Sequence, residues 1–255
     1  MRAIAFGMLA LLFLLVGGDA RAAQVVRVGG YDFPPFVESG KDFPASLTLR
    51  LIESLNQMQG DYRFEFVPIA ARRRYGDLTE GRFDVIFFES PQWEWQAQGY
   101  AVDFTKVFLR GGEVFIAQAE PGRDESFFQD LSGKKLVGIL GYHYGFAGYD
   151  ADPEHLSKSF DIKLVSSHRS SIDLVLTGRR DIAVVTDAYL NAYLHDTPQA
   201  QGRLLVSRHL DQVYEHRVLV RRAGPINVAT MDALMDELAA SGRLRDIFRA
   251  ARIGK

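Results

Sequence analysis

The residues that could do chemistry fall where predicted strands end. Phe83 to Phe88 (FDVIFF) reads as a buried strand, and Glu89 and Ser90 follow it directly. A carboxylate at a strand end in a cleft could neutralise an ammonium; a solvated loop glutamate is the plainer alternative. Arg72, Arg73 and Arg74 open a predicted helix. One of them could hold an anion through its planar fork, and a solvated face is the competing reading. Trp93 and Trp95 are the only tryptophans. At alternating positions they could line a cleft for an aromatic, cationic or sugar ligand, or simply pack a core. Phe33 precedes Pro34-Pro35-Phe36, and two prolines stiffen that loop into a preformed wall. Tyr31 and Asp32 share the loop. Tyr142 and His143 lie within Gly141 to Gly145 (GYHYG), after another predicted strand. Amides in that stretch could cradle an anion, while His143 also fits a structural role.

Several reaction classes leave no trace. There is no His-Glu-x-x-His, no Gly-x-Ser-x-Gly and no Gly-x-x-x-x-Gly-Lys-Ser/Thr. The six histidines are scattered singly, and nothing in their spacing argues for a metal. Cysteine is absent, so disulfides, thiolate ligands and cysteine nucleophiles are excluded. No catalytic residue, metal or cofactor is predicted. Among 255 residues, 30 Lys and Arg against 32 Asp and Glu give a net charge of −2, which disfavours a nucleic-acid partner.

The elements that must position these residues alternate in type. Residues 1–22 read as a signal peptide: Arg2, an apolar run from Ile4 to Val16, then Ala20-Arg21-Ala22 as the small-x-small cleavage pattern. An uncleaved anchor is the alternative, although the run is short for a bilayer core of about 20 residues. Export without cysteine suits a periplasm. Beyond it, strands at Val25–Gly30, Arg63–Val67, Phe83–Phe88, Leu136–Leu140, Ile162–Val165, Asp181–Val185 and His216–Arg222 alternate with helices. The helices fall at Leu47–Met58, Ala70–Thr79, Ser170–Thr177, Pro225–Ala240 and Leu244–Ala251. This is an α/β pattern. Two echoes point to a duplicated plan: Gly81-Arg82-Phe83-Asp84 with Gly178-Arg179-Arg180-Asp181, and Gly30-Tyr31 with Gly141-Tyr142. The first echo has a structural reading, a helix-ending glycine followed by a return strand.

An ordered set of stretches resembles the family 3 extracellular solute-binding proteins, the periplasmic receptors of amino-acid import systems. VRVGGYDFPPF resembles their opening strand and aromatic loop. EGRFDVIFF with YAVDFTKVF, DLSGKKLVGILGY, TGRRDIAVVTD and the tail around Ser241 to Ile247 follow in the family's order. The resemblance implies a two-lobe, type II periplasmic-binding fold, each lobe a mixed sheet flanked by helices, with two crossover strands at the hinge. Residues 23–109 and 214–255 would form lobe one, and 110–213 lobe two. A ligand would sit in the cleft, and the lobes would close on it. The resemblance puts Phe33 against the ligand, small hydroxyl residues such as Ser90 at the Glu89–Ser90 position to bind its ammonium, and Asp187 as an acidic partner for that ammonium; an N-cap role competes for Asp187.

One departure is plain. The family's Thr-x-x-Arg carboxylate clamp is replaced by Ser90-Pro91-Gln92-Trp93-Glu94-Trp95-Gln96. Either Arg72 to Arg74, or Arg110 at the crossover, takes over, or the ligand lacks an α-carboxylate. The expectation is a monomeric periplasmic protein that binds an amino acid or related amine without catalysis and delivers it to a membrane ABC permease. The alternatives are a ligand sensor for a membrane receptor and a cyclohexadienyl-dehydratase-like enzyme.

Overall fold

The computed structural model describes residues 22–38 and 46–253. Apart from Ala22, the expected signal peptide lies outside the described residues. Strand β1 (Gln24–Gly30) pairs in parallel with β2 (Tyr62–Pro68) and β3 (Val85–Glu89). Helix α1 (Leu47–Met58) connects β1 to β2. Its stripe of Leu47, Leu51 and Leu55 is fully buried, as the spacing predicts. The expected helix over 70–79 divides into a 3-10 turn, Ala71–Arg73, and α2 (Arg74–Thr79). The junction matters, because Arg74 turns inward while Arg72 and Arg73 stay exposed.

A second parallel set follows. β6 (Leu136–Ile139) pairs with β7 (Ile162–Val165) and β8 (Ile182–Thr186). Around it lie α3 (Pro153–Ser159), α4 (His168–Leu176) and α5 (Asp187–Asp196). Two long strands join the sets. β5 (Leu109–Gln118) runs antiparallel to β8 and to β9 (Leu204–Arg221). The far end of β9 pairs with β3 and with the short β4 (Val102–Phe104). The strands order as β2-β1-β3-β9-β5-β8-β6-β7. α6 (Val228–Ala240) and α7 (Arg243–Ala250) then pack back against α1.

The Gly-Arg-x-Asp echo is structural in both places. Gly81 (φ 65°) and Gly178 (φ 67°) both adopt the left-handed conformation just after α2 and α4, which glycine takes without strain. Asp84 then accepts the Arg27 amide at 3.0 Å, and Asp181 accepts the Lys135 amide at 2.7 Å. Each carboxylate thus ties a return strand to the first strand of its own set.

Asp84 carries more. It is 1% exposed and also accepts from the side chains of Arg27 and Arg221. Burial pushes its carboxyl up, but the Arg27 and Arg221 hydrogen bonds outweigh this and hold it below the ordinary value. Its stabilisation is therefore present above the unfolded carboxyl's pKa and is lost as pH falls through the lower folded value. Asp84→Ala is expected to cost about 2–3 kcal/mol in urea unfolding at pH 7, and progressively less as pH falls below the ordinary carboxyl value.

Candidate functional site

The chain segments that leave β1, β3 and β6 converge on one small cavity, as carboxyl ends of parallel strands commonly do. Tyr31 and Phe33 come from the β1 loop, Trp93 from the stretch after β3, and Tyr142 and His143 from the loop after β6. The floor is one face of the β5–β9 ribbon. Strand alternation puts Leu109, Gly111 and Glu113 on that face. The antiparallel register puts His216, Tyr214 and Gln212 opposite them. The space left is about 10 Å³, room for a single water, against roughly 300–1,000 Å³ in ordinary ligand pockets. A larger occupant requires the two sides to part.

Phe33 is the hub of the aromatic wall. It is 3% exposed, with ring centroids 5.8 Å from Trp93, 5.4 Å from Tyr142 and 5.8 Å from Tyr214, all edge-on. Trp93 stacks on His143 and donates its Nε1 hydrogen to Gln212 Oε1 at 3.0 Å. The Tyr142 hydroxyl donates to the Asp32 carbonyl at 2.9 Å, so Asp32 contributes its backbone here. Trp95 is fully buried and donates to Glu89 Oε2 at 2.8 Å, a packing role behind the wall. Ser90 is buried, and its Oγ accepts from the Gln92 amide at 3.3 Å.

Arg74 is the buried cation, at 1% exposure. Its guanidinium carbon sits 5.1 Å from the Tyr31 ring centre and 4.7 Å from that of Tyr75. It donates to the carbonyls of Ala71 and Gly141, to the Tyr75 hydroxyl at 3.2 Å and to His143 Nδ1 at 2.9 Å. No carboxylate of the described residues pairs with it directly, and Glu89 acts on it through space. Burial and the nearby Arg74 push His143 down to about 2, so it is neutral. Arginine can only donate, so Nδ1 accepts and the ring hydrogen sits on Nε2, facing Glu94 Oε2 at 3.2 Å.

Carboxylates dominate the opposite side. Glu113 is fully buried, and its Oε2 accepts from Gln212 at 2.8 Å. Burial, with Asp211 nearby, pushes it up to about 8. Asp211 is pushed up to about 6, chiefly by burial, although two amides oppose the shift. Those amides are Gly145 at 2.7 Å and Phe146 at 2.8 Å. The anion cradle read from GYHYG therefore forms at its end, and the chain's own Asp211 fills it.

The remaining expected residues lie elsewhere. Asp187 opens α5 and accepts the Ala188 amide at 2.6 Å. It lies beside Gly111, where an added Cβ would stand 3.4 Å from its Oδ1. Asp187 faces a second cavity of about 420 Å³, with Phe36, Leu109, Asn191, His195 and Arg252. Arg110 borders that cavity, but its side chain is 70% exposed and pairs with Glu215 at 2.9 Å. Glu89 is fully buried against Trp95 and within reach of Arg74. The structure thus brings Phe33, Trp93 and Tyr142 to one cavity, places Glu89 and Ser90 just behind it, and keeps Arg72, Arg110 and Asp187 apart. Sequence reading missed Glu113, Asp211, Gln212 and Tyr214. A lone glutamate within the apolar GGEVFIA run was the available signal for Glu113.

Among the described residues no group of His, Asp or Glu is placed to hold a metal, and no helix is long and apolar enough to cross a membrane. No protein-family model matches the chain, and no curated protein matches it in sequence. Solved structures do. The ligand-binding core of GluR0 in complex with L-glutamate superposes with a TM-score of 0.69 at 17% identity, covering 93% of this chain and 100% of that one. The substrate-binding protein of an ABC uptake transporter from Streptococcus pneumoniae, with bound histidine, gives 0.69 at 19% identity over 89% and 91%. An ancestral amino-acid-binding protein, a precursor of cyclohexadienyl dehydratase, gives 0.64 at 17% over 89% and 94%. The chain has the type II periplasmic binding-protein fold. In this type II fold the β5–β9 ribbon accounts for the two crossover strands expected from the sequence, and the cavity lies against it.

Proposed function

We propose that the protein is a periplasmic solute-binding protein that captures a small polar metabolite, an amino acid or related amine, between two lobes. Lobe one comprises residues 23–109 and 214–255, and lobe two residues 110–213. The reading rests on one observation. A buried guanidinium, Arg74, and a buried carboxyl, Glu113, line the same aromatic-walled cavity where the two strand sets meet. Buried polar atoms left without partners, here Arg74 Nε and Glu113 Oε1, are expensive, and a polar ligand is the usual compensation. The lobes open to admit the solute and close through the β5–β9 ribbon. Binding is non-covalent and without catalysis. The closed form is handed to a membrane ABC permease, with a membrane receptor as the alternative partner.

A thermal-shift panel of amino acids, polyamines, sugars, organic acids and prephenate tests this. A ligand at 100 times its Kd adds about 2.7 kcal/mol, roughly 5–10 °C at this size. Turnover of prephenate would replace binding with catalysis. With the responding compound, Asp187→Ala is expected to weaken affinity only if the opened cleft extends from the aromatic cavity to the one that Asp187 faces. Unchanged affinity removes Asp187 from the site.

A further inference from the structure

Glu113 is the cavity group whose needs the chain leaves unmet. Its Oε2 is satisfied by Gln212, but Oε1 is buried with no hydrogen-bond partner. None of the ion pairs among the described residues involves it. The charged groups acting on it are Asp211 from β9 and Asp187 from α5, both acidic. The Tyr214 hydroxyl lies within hydrogen-bonding reach of the carboxyl without the geometry of a full bond to Oε1, and Tyr142 and Tyr144 face it from the loop after β6. Across the cavity, neutral His143 and Arg74 complete the surroundings. Arg74 is already engaged by two carbonyls, Tyr75 and His143, which leaves only its Nε free, and Glu89 offsets its charge. The side of lobe one is therefore balanced, while that of lobe two holds acid without base.

Two further facts bear on the ligand's chemistry. The amides of Gly145 and Phe146, which could receive a ligand carboxylate, are taken by Asp211. The walls are the rings of Phe33, Trp93, Tyr142 and Tyr214, whose faces attract cations. Resting on the solute-binding reading, we propose that the ligand is an organic cation without an α-carboxylate, a primary ammonium or guanidinium compound, whose N–H donates to Glu113 Oε1 inside this aromatic wall. The Glu113 carboxyl gives up its proton to solvent as the cation arrives, so the cation and carboxylate are buried as a pair.

Isothermal titration with agmatine and cadaverine against L-arginine and L-lysine, with L-glutamate as the anionic control, tests this. At least one decarboxylated amine is expected to bind tenfold or more tightly than its parent amino acid. In buffers of different ionisation enthalpy at pH 7, the heats should show release of a proton from the unmodified protein. Glu113→Gln, which keeps the shape of the protonated acid, should weaken amine binding tenfold or more. Amino acids binding as tightly as their amines, or amine binding with no proton release and no response to Glu113→Gln, would overturn the proposal. Binding of L-glutamate with neither amine overturns the cation inference and leaves solute binding standing. A response to no member here and none in the wider panel overturns both.

Discussion

Between pH 6.5 and pH 8 the stability of the protein is expected to fall by about 2 kcal/mol relative to that of Glu113→Gln. The folded carboxyl titrates near 8, against 4.5 for an ordinary glutamate. A group whose folded pKa is raised contributes stability that is complete below the unfolded value and lost as pH climbs to the folded one. For Glu113 that window runs from about 4.5 to about 8. Other buried groups confuse its lower part. His143, His168 and His216 are pushed down to between about 2 and 3, chiefly by burial. Their contribution is present above the histidine value of 6.5 and lost as pH falls, which opposes Glu113 below that pH. Asp211, with a folded value of about 6, is half titrated there and nearly complete by about pH 7. The unfolded histidines are still half protonated at 6.5, so their gain continues above it, and the Glu113 loss is read as the difference from Glu113→Gln. Scanning calorimetry should show the midpoint of the unmodified protein dropping by roughly 4–8 °C relative to that of Glu113→Gln between the two pH values. Parallel slopes in both proteins would show that Glu113 is ionised at neutral pH.

Removing the buried guanidinium is expected to cost about 3–5 kcal/mol in Arg74→Met. The loss leaves the carbonyls of Ala71 and Gly141 and the His143 Nδ1 without a donor. It also deprives Glu89, already pushed up by burial, of its nearest cation. Because Gly141 and His143 belong to the opposite strand set, the contact across the cavity loosens as well. Urea unfolding should register the energy, and small-angle scattering should report a larger radius of gyration. Arg74→Lys is expected to recover little, because one ammonium cannot span these acceptors in the plane that a guanidinium covers. A cost below about 1 kcal/mol would make the guanidinium dispensable.

The site was partly legible, and the residues show where legibility stops. Phe33, Trp93 and Tyr142 were found because aromatics beside glycine or proline at strand ends are a local pattern. The three consecutive arginines gave no such pattern. They span a change from 3-10 to α geometry, and that change turns Arg74 in and Arg72 out. Strand β9 was expected only from His216. Its first half, with Arg208, His209, Asp211 and Gln212, lacks a regular alternation and is a strand because β5 supplies its hydrogen bonds.

By itself the sequence determined the alternation of strands and helices, the buried stripe of α1 and the Gly-Arg-x-Asp turns. Each depends on side-chain periodicity or on a backbone conformation that one residue type favours. Only the tertiary structure decided that Glu113 and Gln212 would face each other, that Asp211 would fill the amides of Gly145 and Phe146, and that Arg74 would meet His143. These partners lie 65 or more residues apart in the chain. Contacts of that kind are set by sheet register and by the packing of one strand set against the other, neither of which any short stretch of sequence encodes.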